Sequence, residues 1–241
     1  RVKMQLKNIG NEIPIFFYVY NRKKVNKILF KFFINLLILV SFFKILEVKS
    51  MNNKFNDLSD LYKSLRNLRQ PNGLYIASVG HVYRNYCWLR DVFYQSLPEL
   101  KTNPDNYVQT YHTLLDWFIK LEADIKKFSW LIQNPNPKLS YRYLHARVTP
   151  DLKELHEQWQ NKQNDVYGEF FFGVAAGVKA GLKIIRNEED IKIINLMVRT
   201  LEALEYWHDS DSGLWEENEE MHASSIGACV SGLKALKSIG F

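Results

Sequence analysis

The chain of 241 residues has two cysteines, seven prolines and eleven glycines. Cys87 and Cys229 are too few for a disulfide framework and lack metal-ligand spacing. Both lie in apolar surroundings, which reads them as small buried residues of a reducing compartment. So few glycines and prolines speak against an all-β protein, with its many tight turns, and favour helices. No low-complexity tract and no strict repeat is visible, which argues against a simple solenoid. A basic excess is missing where it would matter. Residues 1–50 carry ten Lys/Arg against two Asp/Glu, whereas residues 51–241 carry 22 against 24. The net charge of +6 therefore belongs to the N-terminal segment. The rest has no positive field for phosphates, so nucleic acid is not expected as a partner.

A long hydrophobic run is also lacking. From Ile28 to Phe43 the chain is apolar, but Lys31 and Lys44 leave only twelve uncharged residues between them. A spanning helix needs roughly 18–20, and no small-residue cleavage site marks a signal peptide. Residues 1–50 are read as spurious upstream translation or as a membrane anchor over residues 28–46. Met51 opens a different, polar-amphipathic sequence, so residues 51–241 are taken as the folded domain. The expected location is cytoplasmic, or membrane-anchored if residues 28–46 are a real anchor.

What is present is helical periodicity. Val108, Tyr111, Leu115, Phe118 and Ile119 line one face of a helix over 105–122, which Asn103-Pro104-Asp105 starts. Asp165–Ile185 is nearly continuous in apolar and small residues. Gly168, Gly173, Gly177 and Gly181 recur in it at four- or five-residue steps, which allows close packing of a buried helix. Asp190–Trp207 is amphipathic. Ser224–Ile239, Leu58–Leu68 and Trp88–Leu100 complete the helices, and Gly73–Val79 is the longest strand-like run.

Four segments combine polar and aromatic residues near helix starts. In Tyr86-Cys87-Trp88-Leu89-Arg90-Asp91, an Arg fork and a carboxylate are suited to vicinal hydroxyls; taken alone, the pair reads as a local ion pair at a helix start. Trp159 precedes the polar loop 160–164 and Asp165, which taken alone is a helix cap. Gly213-Leu214-Trp215-Glu216-Glu217 follows the turn Asp209-Ser210-Asp211-Ser212. It offers adjacent carboxylates and an aromatic face, or simply an exposed acidic turn. In His222-Ala223-Ser224-Ser225, the serines are expected to cap the next helix, and a lone His is usually structural.

Together the segments resemble the glycoside hydrolase family of glucoamylases, bacterial trehalases and phosphorylase kinase regulatory subunits. Its Tyr-x-Trp-x-Arg-Asp matches Tyr86, Trp88, Arg90 and Asp91. Its Trp-x-x-x-Gln-x-Asp matches Trp159, Gln163 and Asp165, and its Leu-Trp-Glu-Glu matches Leu214 to Glu217. The resemblance covers about residues 58–241. It departs at Gln160, where glucoamylases usually have Gly, and at Gly213, where the fungal enzymes have Asp.

The resemblance implies an all-α fold, an (α/α)6 toroid of helical hairpins, here about its first half. It implies hydrolysis of α-glucosidic bonds in α-glucans or α-glucosides with inversion. Glu216 falls on the general acid. Arg90, Asp91, Trp159, Trp215 and Glu217 fall on groups that bind an oligo- or polysaccharide of glucose. No cofactor and no metal is expected. Crowding of Glu216 by Glu217 and Trp215 is expected to raise one carboxylate pKa. Inversion also needs a base roughly 6.5–9.5 Å away, expected from a C-terminal half beyond Phe241. The alternatives are a non-catalytic carbohydrate-binding or regulatory domain and an inactive truncated fragment.

Overall fold

The computed structural model describes residues 58–135, 143–153, 155, 162–216 and 218–241. The segment 1–50, with its candidate anchor, lies outside the described residues, as do Trp159, Gln160 and Glu217. Eight α-helices are described: α1 (Leu58–Arg66), α2 (Leu89–Ser96), α3 (Glu99–Thr102), α4 (Pro104–Lys120), α5 (Glu122–Gln133), α6 (Asp165–Lys179), α7 (Glu188–Ala203) and α8 (Ala223–Lys237). A 3-10 turn spans His81–Asn85. The one sheet among the described residues pairs β1 (Cys87–Trp88) with β2 (Arg147–Val148), antiparallel. None of the described helices is long and apolar enough to cross a membrane.

Local chemistry accounts for the starts of α4 and α7 and the end of α6. The Asn103 side chain accepts from the backbone N–H of Asn106, and Pro104 sits at the first helical position, where its missing N–H costs nothing. Asn187 caps α7 by accepting from the N–H groups of Glu189 and Asp190 at 3.0 and 3.1 Å. Gly181, with φ +80, ends the reach of α6. The helix therefore stops at Lys179, short of Ile185.

Three sequence expectations are corrected. The segment Trp88–Leu100 is not one helix: Pro98 divides it into α2 and α3. Gly73–Val79 forms no strand, only an isolated bridge between Tyr75 and Arg69. The helix α5 was not anticipated; Ile125, Phe128 and Leu131 are its buried face. No cap side chain announces it, because the Leu121 backbone alone breaks α4 from α5.

The helices α2, α6 and α8 pack side by side, and α7 packs on α4 and α5. The core centres on Phe170 of α6, whose ring lies 6.1 Å from Phe93 and from Tyr111 and 4.9 Å from Phe118. On α4, Tyr111, Leu115 and Phe118 are fully buried. Val108 and Ile119 of the anticipated face pack at its margin. The glycine spacing of α6 has a direct use. A Cβ on Gly168 would overlap the Ala228 backbone, and one on Gly232 would overlap the Gly168 backbone. So α6 and α8 touch main chain to main chain, which brings their N-terminal ends close together.

Candidate active site

The N-terminal ends of α2 and α6 and the turn before α8 converge on Arg90. Its Nε donates to Asp165 Oδ2 at 2.7 Å, and its Nη2 lies 2.7 Å from the same oxygen. Nη1 donates to the Leu214 carbonyl at 3.0 Å and Nη2 to the Gly213 carbonyl at 3.2 Å. Both side chains of the pair are less than one tenth exposed. Burial works against the guanidinium charge, but the carboxyls of Asp165 and Glu169 outweigh it, and the Arg90 pKa moves up.

Two simple readings of the sequence are thereby corrected. The ion-pair partner of Arg90 is Asp165, not its neighbour Asp91. Asp165 is the first helical residue rather than the cap; Asn164 holds that position and makes no side-chain cap bond. The Asp165 carboxylate in the first turn is favoured by the helix dipole, and its charge serves Arg90. Asp91 lies in the first turn of α2, where its charge acts on Cys87 and Glu169.

Of the segment read as a possible exposed acidic turn, Trp215, Asn218, Glu219 and Glu220 are exposed, whereas Gly213 and the two residues before it are buried. Asp211 and Ser212 are each 1 % exposed. The Asp211 carboxylate accepts from the backbone N–H of Asn164 at 2.8 Å and of Gly213 at 3.2 Å. The Ser212 N–H donates to the Lys162 carbonyl at 2.7 Å, and Lys162 Nζ lies 2.6 Å from Asp209. Burial raises the Asp211 pKa, and the Asn164 N–H partly offsets that. Gly213 has φ +61, and a Cβ there would come 2.8 Å from the His222 ring. A larger residue here would have to displace the His222 ring and hold a left-handed backbone. His222 stands at the cap position of α8 without a side-chain cap bond, so the serines do not cap the helix as anticipated.

Glu216 ends the turn at φ +55, a left-handed conformation that is uncommon for a residue with a Cβ. Its Oε1 accepts from Trp88 Nε1 and from Gln163 Nε2, each at 2.8 Å. The donors come from β1 and from the loop before α6, 128 and 53 residues away. Gln163 Oε1 is buried without a hydrogen-bond partner among the described residues. Trp215, beside Glu216 in the chain, is 78 % exposed and so does not supply the expected crowding. The structure thus brings Arg90 and Glu216 to one loop and leaves Trp215 in solvent.

Four residues of the site were not named as site residues from the sequence: Trp88, Gln163, Asp165 and Glu169. The first three belong to the motifs, so their spacing was a usable signal. Glu169, one turn beyond Asp165 on α6, is not. Burial and then the Asp165 charge push its pKa well above the ordinary carboxylate range. Among the described residues, no cluster of His, Cys, Asp or Glu is arranged to hold a metal ion.

The model of the family "Glycosyl hydrolases family 15" matches residues 59–240. Among curated proteins, the chain is 25% identical over 175 residues to a probable phosphorylase b kinase regulatory subunit alpha of Caenorhabditis elegans. That match covers 69% of this chain and 14% of the relative. It is 25% identical over 141 residues to the liver isoform of the same subunit from Oryctolagus cuniculus, covering 56% of this chain and 11% of the relative. Solved glycosidases also match. One variant superposes with a TM-score of 0.58 at 22% identity, and another, in complex with glucose, with 0.57 at 23%. Each match covers 74% of this chain and 50% of the solved chain. The fold is therefore a partial (α/α)6 toroid, and the chain spans about half the length of the solved glycosidases and a smaller share of the curated relatives.

Proposed function

The chain belongs to glycosyl hydrolase family 15, and on that premise we propose that it forms the acid-bearing part of a hydrolase of α-glucosidic bonds in α-glucans or α-glucosides, acting with inversion. Glu216 is the general acid. The observation that carries this reading is the way Glu216 is held. It sits in a strained turn whose carbonyls are clamped by Arg90, and one carboxylate oxygen is fixed by Trp88 and Gln163. A carboxyl fixed at one oxygen presents the other in a defined direction, as proton transfer to a leaving oxygen requires. Strain of this kind in a non-glycine residue tends to accompany function.

Arg90 donates through Nε, Nη1 and Nη2 to Asp165, Leu214 and Gly213, and Nη2 is also ion-paired with Asp165. Its main part is to hold the acid's loop. Asp91, Trp159, Trp215 and Glu217 complete the proposed sugar-binding groups. A glucosyl ligand is supported by the glucose complex of the related fold. Inversion requires a second carboxylate roughly 6.5–9.5 Å from the acid to activate water. We assign it to the part of the toroid that the matched half leaves out. The buried cysteines Cys87 and Cys229 support the cytoplasm as the place of work.

A second reading, a non-catalytic sugar-binding or regulatory domain, draws support from the matched regulatory subunits. One experiment separates the two. Glucose and maltose are titrated into the protein extended through the second half of the toroid, and maltose hydrolysis is followed in the parent and in Glu216→Gln. Retained binding with hydrolysis reduced roughly 10²–10⁴-fold in the variant supports a general acid. Equal hydrolysis in both proteins removes Glu216 from that role. Binding without hydrolysis in either one selects the regulatory reading.

A further inference from the structure

The loop before β1 exposes apolar groups next to the proposed acid. None of the five residues of the 3-10 turn His81–Asn85 is buried. Val82 is 62 % exposed and Tyr83 56 %. The Tyr83 ring centroid lies 5.7 Å from that of Trp88, the residue that donates to Glu216. Tyr86 stands edge-on to Trp88 at 5.8 Å, and the Arg147 guanidinium covers both rings, at 4.0 and 4.8 Å from their centroids. Arg147 thus packs the inner two rings into a rigid support, while Tyr83 at the outer end keeps its exposure. His81, which opens the turn, has φ +41, a strained conformation for a residue with a Cβ.

We infer that Tyr83 is an outer stacking platform for the glucosyl unit next to the one held at Glu216. The inference rests on the proposed reading of Glu216. A pyranose ring has a C–H face about the size of one aromatic ring, and Tyr83 offers one such face. A protein partner needs roughly 800 Å² on each side for a stable interface, far more than Val82 and Tyr83 present. The exposed Arg84 adds hydrogen-bond donors for sugar hydroxyls beside the ring. The aromatic chain from Tyr83 through Trp88 to Glu216 makes the platform continuous with the acid.

The test is calorimetric titration of glucose and of maltose into the full 241-residue chain and its Tyr83→Ala and Tyr83→Phe variants. The parent is expected to bind maltose more tightly than glucose, by up to about tenfold, the most that one stacked ring contributes. Tyr83→Ala erases that preference and leaves glucose affinity unchanged; Tyr83→Phe, which keeps the ring, restores it. Because Tyr83 is exposed, neither variant threatens folding, and a thermal melt verifies this. An unchanged maltose-to-glucose ratio in Tyr83→Ala overturns the platform alone. The same holds if Tyr83→Ala shifts the oligomeric state in sedimentation without changing the ratio, since the patch is then a protein contact. A parent chain that binds neither sugar overturns the platform, whereas the reading of Glu216 is decided by the separate hydrolysis comparison of parent and Glu216→Gln in the extended protein.

Discussion

Replacing Arg90 with Met keeps the apolar stem and removes the guanidinium. In the native protein that group neutralises a buried carboxylate and satisfies two loop carbonyls. Removing one partner of a buried pair costs about 3–5 kcal/mol, because the other charge stays buried without compensation. Each buried carbonyl that loses its donor adds about 1–3 kcal/mol. Leu214 is half-buried, so water can replace part of that bond. A total near 4 kcal/mol or more follows, and in a unit of this size it lowers Tm by about 8–16 °C. Arg90→Lys keeps a charge without the planar fork and is expected to fall between Arg90→Met and the parent. Asp165→Asn introduced into Arg90→Met should cost about 1 kcal/mol or less, because the carboxylate has already lost its partner, whereas alone it costs several times that. Urea denaturation of the four proteins at neutral pH completes the cycle. A cost below about 1 kcal/mol for Arg90→Met, or additive costs in the double variant, refutes the claim that this pair holds the loop.

Glu169→Gln tests a pH dependence. A carboxyl with a raised pKa binds more protons in the folded than in the unfolded state, so its contribution to stability falls as pH rises above the unfolded value of about 4.5. The groups that face Glu169 are Asp165, Arg90, Tyr94 and Asp91, with Tyr111 and Cys229 close enough to feel its charge. Urea midpoints at pH 4, 6 and 8 should show the variant gaining on the parent by up to about 1.4 kcal/mol per pH unit above 4.5; a pH-independent difference contradicts this. Gly168→Ala places a methyl group in the Ala228 backbone and is expected to cost about 3 kcal/mol, the upper end for overpacking; a neutral result in thermal melts means that α6 and α8 separate easily. Asn187→Ala removes the cap of α7 and should cost about 1 kcal/mol, read from the urea midpoint.

Short-range chemistry made much of this protein legible. Asn103-Pro104 marks a helix start wherever it folds, because a cap side chain and a proline act on groups within one turn. The apolar spacing of α4 and the glycine steps of α6 foretold which faces are buried, since burial follows helical periodicity. The helix α5 escaped because the Leu121 backbone breaks the chain without a cap, Gly or Pro to signal it. The pairing of β1 with β2 escaped because each strand is two residues long and the partners lie 59 and 61 residues apart. For the site, Trp88, Arg90, Gln163, Asp165 and Glu216 were all visible as motif residues, but which of them pair with which was not.

Sequence alone determined the helical class, the cap-driven starts of α4 and the family motifs, for these depend on neighbours within a turn or on ordered spacing. Only the tertiary structure decided that Arg90 belongs to Asp165 rather than to Asp91, that Asp211 and Ser212 are buried, and that Trp88 and Gln163 share one oxygen of Glu216. Those contacts join residues 47 to 128 positions apart. They exist because glycines let α6 and α8 meet backbone to backbone, which gathers distant helix ends around one carboxyl group.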